Sequence, residues 1–296
     1  YVCTITFTDS AGNAASTLSL TSFTLDTTVA TPSETTAVST PTNDASPDVV
    51  ITTTEAGTIV VAGTTGCAIG SAAVISGQQT LTLTTITAGD GAYVCTITFT
   101  DSAGNAASAL TLTSFTLDTT ANTPSETTVV STPTNDATPD VVITTDEAGT
   151  IAVGGTSGCG LSSTATMTSG ANTVTLTITD STEGAYVCTI TFSDSLGTAA
   201  TALTLTSFTL DTSVATPSET TAVTTPTKDT SPDVVITTTQ AGTIVVAGTT
   251  GCGVDSAAVS SGQQTITLST ITAGDGAYVC TITFTDSAGN AASALT

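Results

Sequence analysis

Along most of this chain, apolar and polar residues alternate with a period of two. At the start, Tyr1, Cys3, Ile5 and Phe7 alternate with Val2, Thr4, Thr6 and Thr8. A period of two sends successive side chains to opposite faces, so the stretch predicts a strand with one buried face. Asp9-Ser10-Ala11-Gly12-Asn13 then breaks the pattern as a turn. Leu18 and Leu20, followed by Phe23 and Leu25, predict another strand. The change of parity between Leu20 and Phe23 predicts a bulge or kink inside it. No stretch shows the 3.6-residue period of an amphipathic helix.

The pattern recurs. Tyr-Val-Cys-Thr-Ile-Thr-Phe begins at Tyr1, Tyr93, Tyr186 and Tyr278, spacings of 92 (93 − 1), 93 (186 − 93) and 92 (278 − 186). A period near 92 is too long for a solenoid unit and fits one small domain. The chain therefore reads as a window on a tandem array: the end of one repeat at 1–27, then repeats at 28–120, 121–212 and 213–296. Within 28–120, strands are predicted at Glu34–Ser39, Asp48–Thr54, Thr58–Ala62, Ala72–Ser76, Gln79–Thr87, Ala92–Thr100 and Ser108–Asp118. Leu81, Leu83 and Ile86 face inward on the fifth. Thr31-Pro32-Ser33 is a linker that proline keeps extended. Pro41-Thr42-Asn43-Asp44 and Glu55-Ala56-Gly57 are turns.

Seven short strands with turns every 8–12 residues predict an all-β fold of tandem seven-stranded immunoglobulin-like β-sandwiches, arranged end to end. Tyr93 lies two residues before Cys95 at the start of the sixth strand, the position of a tyrosine corner; Tyr1, Tyr186 and Tyr278 occupy the same place. Two features depart from the antibody pattern. The third strand has no Trp, and Cys67 follows that strand instead of lying on the second. The repeat at 213–296 lacks the Phe-Thr-Leu-Asp segment that residues 1–26 carry. Either one copy completes another, or the window cuts the array arbitrarily.

Composition narrows the function. There are 24 acidic residues against a single cation, Lys228, and no His or Trp. Nucleic-acid binding needs Lys and Arg against phosphate, so it is excluded, and an anionic membrane surface is disfavoured for the same reason. Only 8% of residues are charged, so the surface is mainly Thr and Ser hydroxyl. Ser-His-Asp and Cys-His catalysis are impossible without His. Carboxylate pairs copied on turns, with no aromatic sugar platform, argue against a glycosidase. These features predict no enzyme.

Cysteines fall at 3, 67, 95, 159, 188, 252 and 280. The repeat groups them as Cys67 with Cys95, Cys159 with Cys188, and Cys252 with Cys280, while Cys3 aligns with the second member and its partner would lie upstream of the window. Reduced buried thiols are one reading. Disulfides within each repeat are the other, favoured by a Thr-rich, Lys-poor composition suited to secretion. Two cysteines and no His make half a zinc site at most.

The motifs Tyr-Val-Cys-Thr-Ile-Thr-Phe-Thr-Asp-Ser-Ala-Gly-Asn, Phe-Thr-Leu-Asp-Thr-Thr and Pro-Thr-Asn-Asp-Ala-Ser-Pro-Asp resemble bacterial Ig-like repeats over the whole chain. The resemblance implies the stalk of a giant secreted or cell-surface adhesin, biofilm or fibre protein. It also implies calcium at domain junctions, with Asp101, Asp118 and Asp136 as one candidate set and Asp194, Asp211 and Asp229 as the next. Asx-type turns are the alternative role for each of these residues. The expected role is thus a structural extracellular filament of disulfide-stapled repeats whose partners are other copies of itself. The alternative is an adhesin region that binds a host or matrix ligand itself.

Overall fold

Asp48–Thr53, with sequence Asp-Val-Val-Ile-Thr-Thr, alternates exposed or half-buried positions with buried ones. Branched side chains at Val49 and Ile51 suit a pleated surface with one covered face. In the computed structural model this strand pairs antiparallel with Ser33–Thr36 on one side and Gly77–Thr82 on the other. A second sheet runs in the order Leu110–Thr111, Cys95–Asp101, Gly57–Gly63 and Ala72–Val74. Its register sets Ile59 opposite Phe99 and Val61 opposite Ile97. The inner faces of the two sheets enclose one core, which includes Val49, Ile51, Leu83, Ile97, Phe99 and Leu117.

The structure describes residues 1–63, 66–69, 72–84, 89–156, 158–162, 165–180, 182–248, 252–254, 257–269 and 274–296. They divide into two compact units, Tyr1–Thr120 and Ala121–Thr296. The first unit holds the core just described, and the second holds two further cores. The architecture is all-β throughout the described residues.

The last strand of the repeat at 28–120 is kinked where the parity change is expected. Leu110–Thr111 pairs with Ile97 and Thr96 in the larger sheet. After a break, Phe115–Leu117 pairs instead with Gly91–Tyr93. The sixth predicted strand is broken correspondingly at Val94, between Gly91–Tyr93 and Cys95–Asp101. Phe115–Leu117 also meets the chain after the first strand, through a parallel bridge between Thr42 and Leu117. The fifth strand spans Gly77–Thr82, shorter than its expected extent, and Ile86 lies outside the described residues.

The second unit repeats this plan. Phe208–Leu210 pairs with Gly184–Tyr186, and Cys188–Asp194 with Gly149–Gly155. One addition is Cys159–Leu161, a short strand on the edge of Gly170–Ile178. In the repeat beginning at 213, the sheets are Ser218–Thr221, Asp233–Thr238 and Gly262–Thr267, and Ala257–Val259, Gly242–Gly248 and Cys280–Asp286. Residues 1–27 carry only a short hairpin, Thr4–Ile5 against Leu18–Ser19, with Phe7, Phe23 and Leu25 exposed.

Gly57 opens the third strand opposite Asp101. A Cβ there would lie 2.2 Å from the Thr100 carbonyl oxygen and 2.7 Å from the Phe99 ring. Both obstacles are fixed, one as backbone and one as a core ring. Gly57→Ala is expected to destabilise this repeat by about 1–3 kcal/mol, as overpacking does, read as a lower urea midpoint. An unchanged midpoint would show that the two sheets do not press together here.

Candidate functional site

Each full pairing of cysteines within a repeat is a disulfide: Cys67–Cys95, Cys159–Cys188 and Cys252–Cys280, with Cα separations of 5.7, 5.7 and 5.6 Å. The sheet register explains the first. Gly63 lies opposite Cys95, and Cys67 follows Gly63 by four residues in sequence. The bond ties one strand to a neighbouring loop and does not cross the core. A loop of 28 residues is closed, worth roughly 3–4 kcal/mol by chain entropy. Cys3 is free and exposed.

The tyrosines tie down the chain that precedes them. Tyr93 donates its hydroxyl proton to the Gly89 carbonyl, and Tyr278 does the same to Gly274. Tyr186 donates to the Thr182 carbonyl and the Asp180 carboxylate, each at 2.6 Å. The Asp180 carboxylate raises the Tyr186 phenol above its usual range. Tyr93 and Tyr186 stack on Phe115 and Phe208 at 5.7 and 5.8 Å. Tyr1 is exposed and meets Phe23 at 5.6 Å.

The closing strand is held by side chains as well as by pairing. Glu34 Oε2 accepts the Thr113 N–H and hydroxyl, both at 2.8 Å. Thr40 Oγ1 accepts the Thr116 N–H at 3.0 Å. Asp90 accepts the N–H and hydroxyl of Thr119 at 2.7 Å and the Thr120 hydroxyl at 2.5 Å. The Thr120 hydroxyl, then Thr119, hold the Asp90 carboxyl below its usual pKa. The next repeat copies each clamp with Glu126 on Thr206, Thr132 on Thr209 and Glu183 on Thr212.

The candidate aspartates have separate placements. Asp101 Oδ1 accepts the Ala103 and Asn105 N–H groups at 2.9 and 2.8 Å, and Oδ2 accepts the Asn105 side-chain amide at 2.8 Å. That amide is the main reason its carboxyl sits below the usual range. Asp136 Oδ1 accepts the Thr138 N–H, and Asp229 Oδ1 the Ser231 N–H, both within local turns. Asp118 and Asp211 donate their N–H groups to the Thr42 and Thr134 carbonyls.

The expected convergence of Asp101 with Asp118 is corrected. Leu117 pairs with Gly91, so the strand carrying Asp118 runs away from the turn holding Asp101. Asp101 instead meets Asp26 and Glu55, one oxygen of each lying within 4.8 Å of the others. Sequence reasoning missed Glu55 because it took Glu55-Ala56-Gly57 only as a turn. The signal was its recurrence as Glu147-Ala148-Gly149 and Gln240-Ala241-Gly242. Where Gln240 replaces the Glu, its amide donates to Asp211 Oδ2 at 3.2 Å. Asp194 with Asp211 and Asp229 is likewise no single cluster, since Asp211 takes Gln240 and Asp229 turns on Ser231.

Residues 28–119 match the family model of the bacterial Ig-like domain. This repeat is a bacterial Ig-like domain. Its strands, disulfide and tyrosine corner recur in the remaining repeats. Among solved structures the chain is similar to titin domains A168–A170, with 11% identity, TM-score 0.37, and coverage of 89% of this chain and 95% of that one. It is similar to the chicken CNTN1 FN1–FN3 domains at 10% identity and TM-score 0.30, over 90% and 97% of the two chains. It is also similar to the BSP domain of a biofilm associated protein at 12% identity and TM-score 0.28, over 89% and 65%. No curated protein matches the chain. No helix among the described residues is long and apolar enough to cross a membrane.

The repeats differ informatively at one turn. Asn105 and Asn290 supply an amide to the second oxygen of Asp101 and Asp286, but Thr198 occupies that place beside Asp194. Asp194 Oδ2 and Thr198 Oγ1 are consequently buried without hydrogen-bond partners. Thr198→Asn is expected to restore the missing donor and stabilise the repeat by about 1 kcal/mol, read as a higher denaturation midpoint. A lower midpoint would show that the Thr198 side chain satisfies Asp194 by another route.

Proposed function

We propose that this chain is a structural segment of an extracellular stalk or filament. Its disulfide-stapled bacterial Ig-like repeats give length and stiffness in the service of surface attachment or biofilm cohesion. Non-catalytic work, outside the cell or on its surface, is the reading that the fold and the staples support. The observation that carries it is the recurrence of one disulfide at one place, Cys67–Cys95, Cys159–Cys188 and Cys252–Cys280. A binding protein needs one distinctive face; a stalk needs every unit to resist the same load. Contacts between copies belong to the same reading.

Pulling single molecules from both ends tests it. Discrete rupture events are expected, and reduction should lengthen each release by the 28 or 29 residues held behind a staple, roughly 10 nm at 3.3–3.6 Å per residue. Smooth extension at low force, without ruptures, would overturn the load-bearing role.

We also propose that calcium is held where Asp26, Glu55 and Asp101 meet. The donor set fits a hard cation that prefers carboxylate oxygen. Three like charges converge there, and the chain has one cation in all, Lys228. Asp26 belongs to the end of one repeat while Glu55 and Asp101 belong to the next, so a bound ion would brace the joint between them. Gln240 provides an internal control, because a neutral amide already bonds Asp211 there. In calorimetric titration with calcium, Glu55→Gln is expected to lower the number of ions bound by one. An unchanged stoichiometry would remove this site.

A further inference from the structure

Domains joined by a short linker move against each other unless their contact holds them. The compact unit Ala121–Thr296 contains one such joint, where the chain leaves Phe208–Leu210 and enters the repeat at 213 through Asp211-Thr212-Ser213-Val214-Ala215. Asp211 belongs to the repeat behind it, because its N–H donates to the Thr134 carbonyl at 2.9 Å. Two turns of the repeat ahead then grip the same residue. Gln240 sits in the turn between Asp233–Thr238 and Gly242–Gly248, and Asn290 in the turn after Cys280–Asp286.

A glutamine side chain offers an amide nitrogen that donates and a carbonyl that accepts. Gln240 uses both on the linker. Nε2 donates to Asp211 Oδ2 at 3.2 Å and to the Ser213 carbonyl at 3.3 Å, and Oε1 accepts the Ala215 N–H at 3.4 Å. Asn290 Nδ2 donates to the Asp211 carbonyl at 2.7 Å and keeps its bond to Asp286 Oδ2 at 2.9 Å. Val214 packs against the core of the repeat ahead. Away from the linker the two repeats approach again, since a Cβ on Gly289 would lie 3.5 Å from the Asn135 amide. Attachment at the linker and at a second place opposes a hinge.

The residue at this turn decides the bonding. Glu147 replaces Gln240 one repeat earlier, and its Oε1 likewise accepts a linker N–H, that of Asn122, at 3.0 Å. An ionised glutamate only accepts, so it has nothing to donate to an aspartate. Glu55 accordingly gathers with Asp26 and Asp101, their oxygens within 4.8 Å of one another. We infer that Gln240 is an ion-free lock, which fixes the repeat at 213–296 against the repeat at 121–212 in one orientation. Glutamine at this turn makes a joint stiff by itself, and glutamate makes a joint whose stiffness depends on a cation. The lock stands on hydrogen bonds alone; only its contrast with the glutamate joint rests on the calcium reading.

The test uses residual dipolar couplings of the full, isotopically labelled chain in a calcium chelator. Amides of Asp140–Thr145 and Cys188–Asp194 report one repeat, and those of Asp233–Thr238 and Gly242–Gly248 the other. One alignment tensor is expected to fit both. Gln240→Ala and the near-isosteric Gln240→Glu are each expected to split it into two tensors of unequal magnitude. Gln240 is half-buried at the surface and absent from the core, so strand amide shifts should stay in place and show both repeats folded. Two tensors in the unaltered chain, or one tensor surviving in both variants, would overturn the lock. Calcium added to Gln240→Glu is expected to restore a single tensor. A split that calcium leaves open would count against the calcium reading, while the lock is decided by the chelated samples.

Discussion

The sandwiches at 28–120 and 121–212 are each closed by one short strand, and the remaining features depend on it. Phe115 and Leu117, or Phe208 and Leu210, complete a core between two sheets that would otherwise stay open at one end. The strand is too short to hold itself by ladder bonds. It is fixed by a glutamate at its start, a threonine hydroxyl at its middle and a carboxylate at its exit. These acceptors satisfy strand N–H groups that no neighbouring strand reaches, which is what a buried or half-buried backbone requires. In sequence, the strand leads directly into the next repeat.

Much of this was legible beforehand. The period-two pattern located the strands, and the recurrence of Tyr-Val-Cys gave the repeat and the cysteine grouping. The parity change between Leu20 and Phe23 marked a kink that the structure places between Thr111 and Phe115 in the following repeat. Periodicity could not show that the sixth strand breaks in step at Val94, because Val94 keeps the alternation while pairing changes partner around it. The acidic groups were the least legible. Asp101 and Asp118 were grouped by the resemblance, one in the turn before the last strand and the other at that strand's end. Strand direction separates them, and the antiparallel register between Gly57 and Asp101 brings in Glu55 instead.

Near-identical repeats act as substitution experiments made within one molecule. Asn105, Thr198 and Asn290 share one turn, and only Thr198 leaves an aspartate oxygen buried and unpaired. Glu55 and Gln240 share another, and only the glutamine offers a proton to the aspartate beside it. Differences of one residue thus change polar satisfaction and local charge while the sheets, the staple and the tyrosine corner persist. That division suits a chain whose framework is held constant and whose joints are adjusted.

The most direct test of the closing strand is hydrogen–deuterium exchange at residues 276–282, in dilute chain. It would compare the 296-residue sequence with one extended after Thr296 by Leu-Thr-Ser-Phe-Thr-Leu-Asp-Thr-Thr, the sequence of residues 112–120. If one strand closes each sandwich, the extension should slow exchange at these amides to the level of residues 91–97. Equal exchange with and without the extension would show that the sandwich holds together without its last strand and would contradict the account.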